Sequence, residues 1–477
     1  MSEEKENLQS AKEQENREKI KAKENKMGVM PVNRLVITMA LPLMISMLVQ
    51  ALYNIVDSIF VAMIEEKALT AVSLAFPMQN VMIAVAMGTC VGMNALVSRS
   101  LGEKNPKKAN QVATNTIFLA ACSYLVFFLI GAFAVPAFYR MQTDDEVIIQ
   151  YGIQYLQVVC MASFGIFAQA VFERLLQSTG KTVYSMITQG VGAIINIIMD
   201  PILIFGLLGF PQMGVRGAAV ATVLGQCVGA LIGLILNIKG NKEVSISLKG
   251  FRPSGRIIGN IYQISVPAII MQGIGGVMNY GMNQIFLGFS STATTVFGIY
   301  YKLQSIIFMP VFGLNNALVA IISYNYGAGK KERVTKTIRL GILYAECIMI
   351  IGFILMQVAP KQMLLLFSAS DDMLGIGVPA LRTISWSFLL AGICIPMSGA
   401  FQALGRAWYS MVNSVCRQVV ILLPCAWLLS RTGILDLVWW SFPIAEFASL
   451  LIQLVFFHKV NKEIISHIGE TKGEATA

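Results

Sequence analysis

Asp57, Glu173, Arg174, Asp200, Glu346 and Glu446 are ionisable residues set inside long apolar runs of this 477-residue sequence. An ionisable group deep in a membrane span is costly and therefore a functional candidate by default. Asp57 and Asp200 form the best pair. Tyr53 precedes Asp57 by four residues and Asn196 precedes Asp200 by four, which puts each couple on one helix face. If both runs cross outward, the two acids lie roughly 8–12 Å below the outer surface at 1.5 Å per residue. Thr222 falls at a similar depth on an inward run. Two carboxylates with hydroxyl and amide oxygens at one level make a site for a proton or for a hard cation such as sodium. In the sodium case Asp57 and Asp200 are the expected metal ligands.

The other charges read less sharply. Glu173 and Arg174 are adjacent and near the inner end of their run, where snorkelling or a local ion pair explains them. Glu346 and Glu446 are either acids of a substrate cavity or partners of a neighbouring cation. The eight cysteines all lie in apolar runs without a CxxC pair, which reads as buried small hydrophobes rather than a metal site. The only histidines are His458 and His467, and neither HExxH nor GxSxG occurs, so no enzyme is expected. Gly180-Lys181-Thr182 has Leu175 where a P-loop needs glycine, and Gly329-Lys330 is followed by Lys331. With no nucleotide engine, an ion gradient is the expected power source, and no cofactor beyond the coupling sodium ion or proton is expected.

These side chains must be positioned by membrane helices. The chain is 56% hydrophobic and only 13% charged, about half the charge of a soluble domain. Spans are expected near 35–62, 69–98, 110–138, 148–176, 183–208, 214–238, 258–288, 293–323, 336–360, 374–402, 408–430 and 435–458. Pro42, Pro201, Pro267, Pro310, Pro396 and Pro424 lie within them and should bend helices. Lys and Arg gather in alternate loops, at 99–108, 181, 239–256, 330–336, 406 and 459–462, while the intervening loops are diluted by acids. The positive-inside rule makes the first set cytoplasmic and places both termini inside. The net charge of +10 is thus a membrane signature, not a nucleic-acid one. The polar residues 1–30 lack the apolar core of a signal peptide and read as a cytoplasmic tail.

The two halves repeat. Adding 225 carries Pro42 to Pro267, Asn54 to Asn279, Gln79 to Gln304, Gly88 to Gly313, Ser98 to Ser323 and Gly102 to Gly327. The pattern QxxGxxxYSM occurs at Gln177 and again at Gln402. The fold expected is all-α: twelve transmembrane helices in two pseudo-symmetric six-helix lobes of like orientation. The lobes span 31–238 and 258–459, with a cytoplasmic linker at 239–257 and a tail at 460–477. Asp57 maps onto Met282 and Asp200 onto Cys425, so the acids belong to one copy only. Symmetric packing does not require them.

The stretch LPLMISMLVQALYNIVDSIFVA, the stretch NIIMDPILIFG followed by GVRGAAVAT, and the doubled QxxGxxxYSM pattern resemble the multidrug and toxic compound extrusion (MATE) family over roughly residues 31–459. The DinF-type and related Gram-positive bacterial branches are most similar. The resemblance implies two lobes in a V and export of organic cations and amphipathic drugs against sodium or proton inflow. It implies ion coupling at Tyr53, Asp57, Asn196, Asp200 and Thr222, and helix bending at Pro42. The setting is the bacterial cytoplasmic membrane, and a monomer in contact with membrane lipid is expected. A flippase for lipid-linked sugars on the same scaffold is the alternative. It calls for a cationic cavity, whereas the acids noted here favour cationic cargo.

Overall fold

The computed structural model describes residues 25–246, 251–367 and 369–469. The remaining residues of the two expected tails and of the linker fall outside it. Among the described residues, eleven helices are long and apolar enough to cross a membrane, and a bent pair supplies a twelfth span. They are α1 Val32–Ala62, α2 Glu66–Gly102, α3 Pro106–Arg140, α4 Glu146–Met161 with Phe164–Ser178, α5 Thr182–Phe205, α6 Val215–Gly240, α7 Gly255–Leu287, α8 Ser291–Gly327, α9 Lys331–Val358, α10 Asp371–Ala403, α11 Ala407–Ser430 and α12 Leu435–His467. Each half of α4 is too short to span alone, since about 20 residues are needed, and the two meet at 45°.

Local chemistry sets the ends. The Asn105 side chain accepts the Lys108 amide at 3.0 Å ahead of Pro106, which starts α3. Asp145 accepts the amides of Val147 and Ile148 at the start of α4, and Lys67 bonds its other oxygen at 2.8 Å. That lysine holds the Asp145 carboxyl below its ordinary pKa. Gly180 and Gly405 close α4 and α10 with φ of 81° and 77°, the left-handed region that favours glycine. Within α3 and α11, π turns at Ile130–Ala134 and Cys416–Leu422 lie just ahead of Pro136 and Pro424. A proline lacks the N–H that an α turn would use, and a wider turn absorbs the mismatch. Pro42, by contrast, sits in an unbroken helix.

The repeat is visible in contacts. Ser98 donates to the Ser178 carbonyl at 2.9 Å, and its counterpart Ser323 donates to the Ala403 carbonyl at 3.0 Å. Gly88 lies against the backbone of Ile269, and Gly313 against that of Met44. Gly102 presses on the Tyr324 carbonyl and Gly327 on the Arg99 carbonyl. Each pair is reciprocal under the offset of 225. The ends of α2 and α8 on the face rich in Lys and Arg, the basic face, therefore touch backbone to backbone. Small residues permit such an approach. Toward that face α1 leans into the second half: Leu35, Val36, Met39 and Leu43 share its apolar core. Ile261 of α7 joins the core of the first half in return.

Residues 25–30 tie the halves further. Asn25 donates to the Thr179 carbonyl at 2.9 Å and bonds Glu243. Arg333 donates to the carbonyls of Met27 and Met30 at 2.8 Å each, Asn325 to Met27 at 3.0 Å, and Lys330 to Gly28 at 2.8 Å. We call this segment the strap. Burial holds the ammonium of Lys26, within the strap, below its ordinary pKa. Hydrogen bonds from charged donors are worth about 1.5–3 kcal/mol each. Arg333→Ala is therefore expected to expose residues 25–30 to limited proteolysis, and protection equal to the parent's would show that other contacts hold the strap.

Candidate functional site

The candidate ion site lies in the first half, where α5 packs against α1 and α6. Asn196 and Asp200 are one turn apart on the buried face of α5 and are 3% and 0% exposed. Tyr53 and Asp57 project from α1 and are half-buried. The carboxyls of Asp57 and Asp200 are close enough to interact directly. Asn196 Nδ2 donates to Thr222 Oγ1 at 3.3 Å, and Thr222 donates to the Ala218 carbonyl at 3.1 Å. All five residues expected at the site are thus assembled on three adjacent helices.

The oxygens here have unspent bonding capacity. Both oxygens of Asp200, Oδ1 of Asp57 and Oδ1 of Asn196 are buried without a hydrogen-bond donor among the described residues. Buried polar groups are normally satisfied, and this oxygen-rich cluster has the chemistry to accept a proton or a cation. Hard oxygen donors suit sodium as well as a proton.

Below the acids is a cavity of about 50 Å³ bordered by Tyr53, Asn196 and Thr222, and by Gln50, Gln189 and Glu173. It is large enough for water. Gln189 donates to Gln50 across its wall at 2.7 Å. Glu173 differs from its expected snorkelling role. It is 6% exposed, accepts from Gln177 at 3.0 Å and faces this polar space. Arg174 is equally buried, at 5%. Packing of α4 against α2 and α6 encloses both, although they lie near a helix end. Tyr155, whose hydroxyl accepts from Gln79 at 3.1 Å, lies within electrostatic reach of both acids and was not anticipated.

Among its described residues the second half holds no equivalent. Met282 is fully buried where Asp57 stands, and Cys425 replaces Asp200. Glu446 pairs with Arg417 at 2.9 Å, with the carboxylate side chain 8% exposed. Of its two expected roles, pairing with a neighbour is what the geometry displays. Arg417 itself escaped sequence reading; its place in the apolar run 408–430 was the available signal. Around the pair, Asn413 bonds Ser449 at 2.9 Å and Gln453 bonds Ser398 at 3.0 Å. Removing one partner of a buried pair strands the other, at a cost of about 3–5 kcal/mol. Arg417→Ala is therefore expected to lower the thermal midpoint in detergent far more than Arg417→Ala combined with Glu446→Gln. Equal losses would count against a stranded charge. Glu346 stays apart from this cluster, and its Oε2 is buried against the backbone space left by Gly392 without a described partner.

A family model described as MatE matches this chain twice, over residues 42–202 and 267–428. The two matches are in the register of the internal repeat. The Multidrug export protein MepA of Staphylococcus haemolyticus is 26% identical over 426 residues, 89% of this chain and 93% of the relative. The probable multidrug resistance protein NorM of Thermotoga maritima is 28% identical over 445 residues, 91% of this chain and 93% of the relative. A solved multidrug resistance MATE family transporter of the MOP superfamily, in an outward-facing conformation, superposes with a TM-score of 0.87 at 25% identity, covering 94% of this chain and 99% of that one.

Proposed function

The chain belongs to the MatE family of membrane transporters, and on that premise we propose that it is a multidrug exporter driven by inflow of sodium ions or protons. The observation that carries the coupling is the cluster of orphaned oxygens on Asp57, Asp200 and Asn196, confined to one half of a repeated scaffold. Its cargo is amphipathic and often cationic. In bacteria it resides in the cytoplasmic membrane as a monomer, with the basic face and both termini in the cytoplasm. The reciprocal contacts of Gly102 and Gly327 close the cytoplasmic side in this conformation.

Alternating access follows from competition. An ion entering from outside binds Asp57 and Asp200, links α1 to α5 and favours one arrangement of α1 about Pro42. Drug entering from inside favours the other and releases the ion. Each ligand shifts the equilibrium only through its differential affinity for the two states. A lipid-linked-sugar flippase receives less support, because Arg417 is neutralised by Glu446. Purified protein in vesicles, loaded with a fluorescent organic cation and energised separately by a sodium gradient and by a pH gradient, tests the reading. Efflux under one of the two is expected; efflux under neither, from correctly inserted protein, would overturn it.

A further inference from the structure

The basic face has two grooves related by the internal repeat, and among the described residues only one is filled. The strap occupies the first. There Arg333 and Asn325 donate to main-chain oxygens of the strap, and Gly180 lies against Asn25, Lys26 and Met27. The offset of 225 maps Arg333 onto Lys108, Asn325 onto Ser100, Tyr324 onto Arg99, Gly180 onto Gly405 and Lys181 onto Arg406. Those five counterparts line a cavity of about 390 Å³ between the halves.

The repeat also explains why that second groove is open. The segment corresponding to the strap lies just ahead of α7, and its described part is residues 251–254. It turns away toward α3: the Ser254 amide donates to Asn115 at 3.0 Å and Phe251 packs on Phe118, with ring centroids 5.9 Å apart. The groove thus keeps its donors and has lost its occupant.

Its chemistry has also changed. Arg99, Lys108 and Arg406 supply three cations, and no acid lines the cavity among the described residues; Glu103 pairs with the first two at 3.0 Å each. Arg99 is braced over the Tyr326 ring at 4.6 Å. Arg406 is exposed, and its guanidinium makes no hydrogen bond or ion pair among the described residues. Asn260 and Gln263 add exposed amides, and Ile264, Leu404 and Ile464 form an apolar flank. Where the first groove takes neutral carbonyl oxygens, the second offers excess positive charge with an apolar border.

We propose that this second groove binds a phosphate group, that of an anionic phospholipid from the cytoplasmic leaflet. Basic pockets between helices on that side suit lipid headgroups. Because its walls come from both halves, a bound headgroup fastens the closed cytoplasmic side as the strap does opposite.

The test uses the full chain in neutral phosphatidylcholine micelles, titrated with phosphatidylglycerol and, separately, with inorganic phosphate. Native mass spectrometry reads bound lipid and the thermal midpoint reads stabilisation. One tightly held phosphatidylglycerol is expected, with affinity falling roughly fivefold for each cation removed in Arg406→Ala and Lys108→Ala. Arg333→Ala, on the strap side, is expected to leave that binding unchanged. A response to phosphate alone that is lost in Arg406→Ala supports the anion site with a soluble source. Equal phosphatidylglycerol binding by the parent and by Arg406→Ala with Lys108→Ala overturns the proposal. So does binding that appears only after removal of residues 470–477, which would make the chain's own tail the occupant.

Discussion

Asp57→Asn and Asp200→Asn are each expected to reduce gradient-driven efflux of a fluorescent organic cation to the level of protein-free vesicles. The amide of either variant can donate to the remaining carboxylate and fill the vacant bonding position permanently. The site then no longer needs an ion, and its occupancy stops reporting the gradient. Stability should move the other way. Two facing carboxyls whose buried oxygens lack donors are poorly solvated and repel when charged, so replacing one removes an unfavourable contact. The thermal midpoint is expected to hold or rise while transport vanishes. Purified protein reconstituted at matched density, assayed for efflux and unfolding together, separates this from simple misfolding. Parental efflux in the Asp57→Asn, Asp200→Asn double variant would remove these residues from coupling.

Gly102→Ala and Gly327→Ala are expected to have the next largest effect. A Cβ on Gly102 meets the carbonyl of Tyr324, and one on Gly327 meets the carbonyl of Arg99. Both obstacles are backbone, which cannot swing aside as a long side chain can. The ends of α2 and α8 must separate. Overpacking of this kind costs about 1–3 kcal/mol, which corresponds to a roughly 5- to 150-fold shift between two states. The variants should populate a form open on the basic face and export poorly. Spin labels at exposed positions near the two helix ends would read the separation. Unchanged distances together with unchanged efflux would show that this contact does not control closure.

The helices were legible because long apolar runs are separated by short charged loops. The Asp57 and Asp200 cluster was legible because spacing of four fixes a helix face and the repeat exposes what one copy has gained. Thr222, placed at the same depth by counting residues, is joined to the cluster by its bond to Asn196. Other features depend on contacts between helices and leave no local trace. The bend in α4 after Met161 occurs without a proline at the break. Arg417 finds Glu446 29 residues away, across a helix pair that no periodicity announces. Glu173 looked like a helix-end charge because its burial is imposed by the surrounding lobe. The strap was hidden within a polar tail because its carbonyls, not its side chains, receive most of its bonds, and carbonyls are the same in every sequence.

The reciprocal contacts at Gly102 and Gly327 also bear on descent. A contact in which residue i meets j and j meets i is the isologous interface of a twofold dimer. Here the covalent chain has absorbed that dimer, so each half faces what amounts to a second copy of itself. A six-helix ancestor would have carried a self-complementary surface at this end, and fusion would have freed its two copies to diverge. The acids found in one half only, and the groove left open in the other, are what that freedom permits.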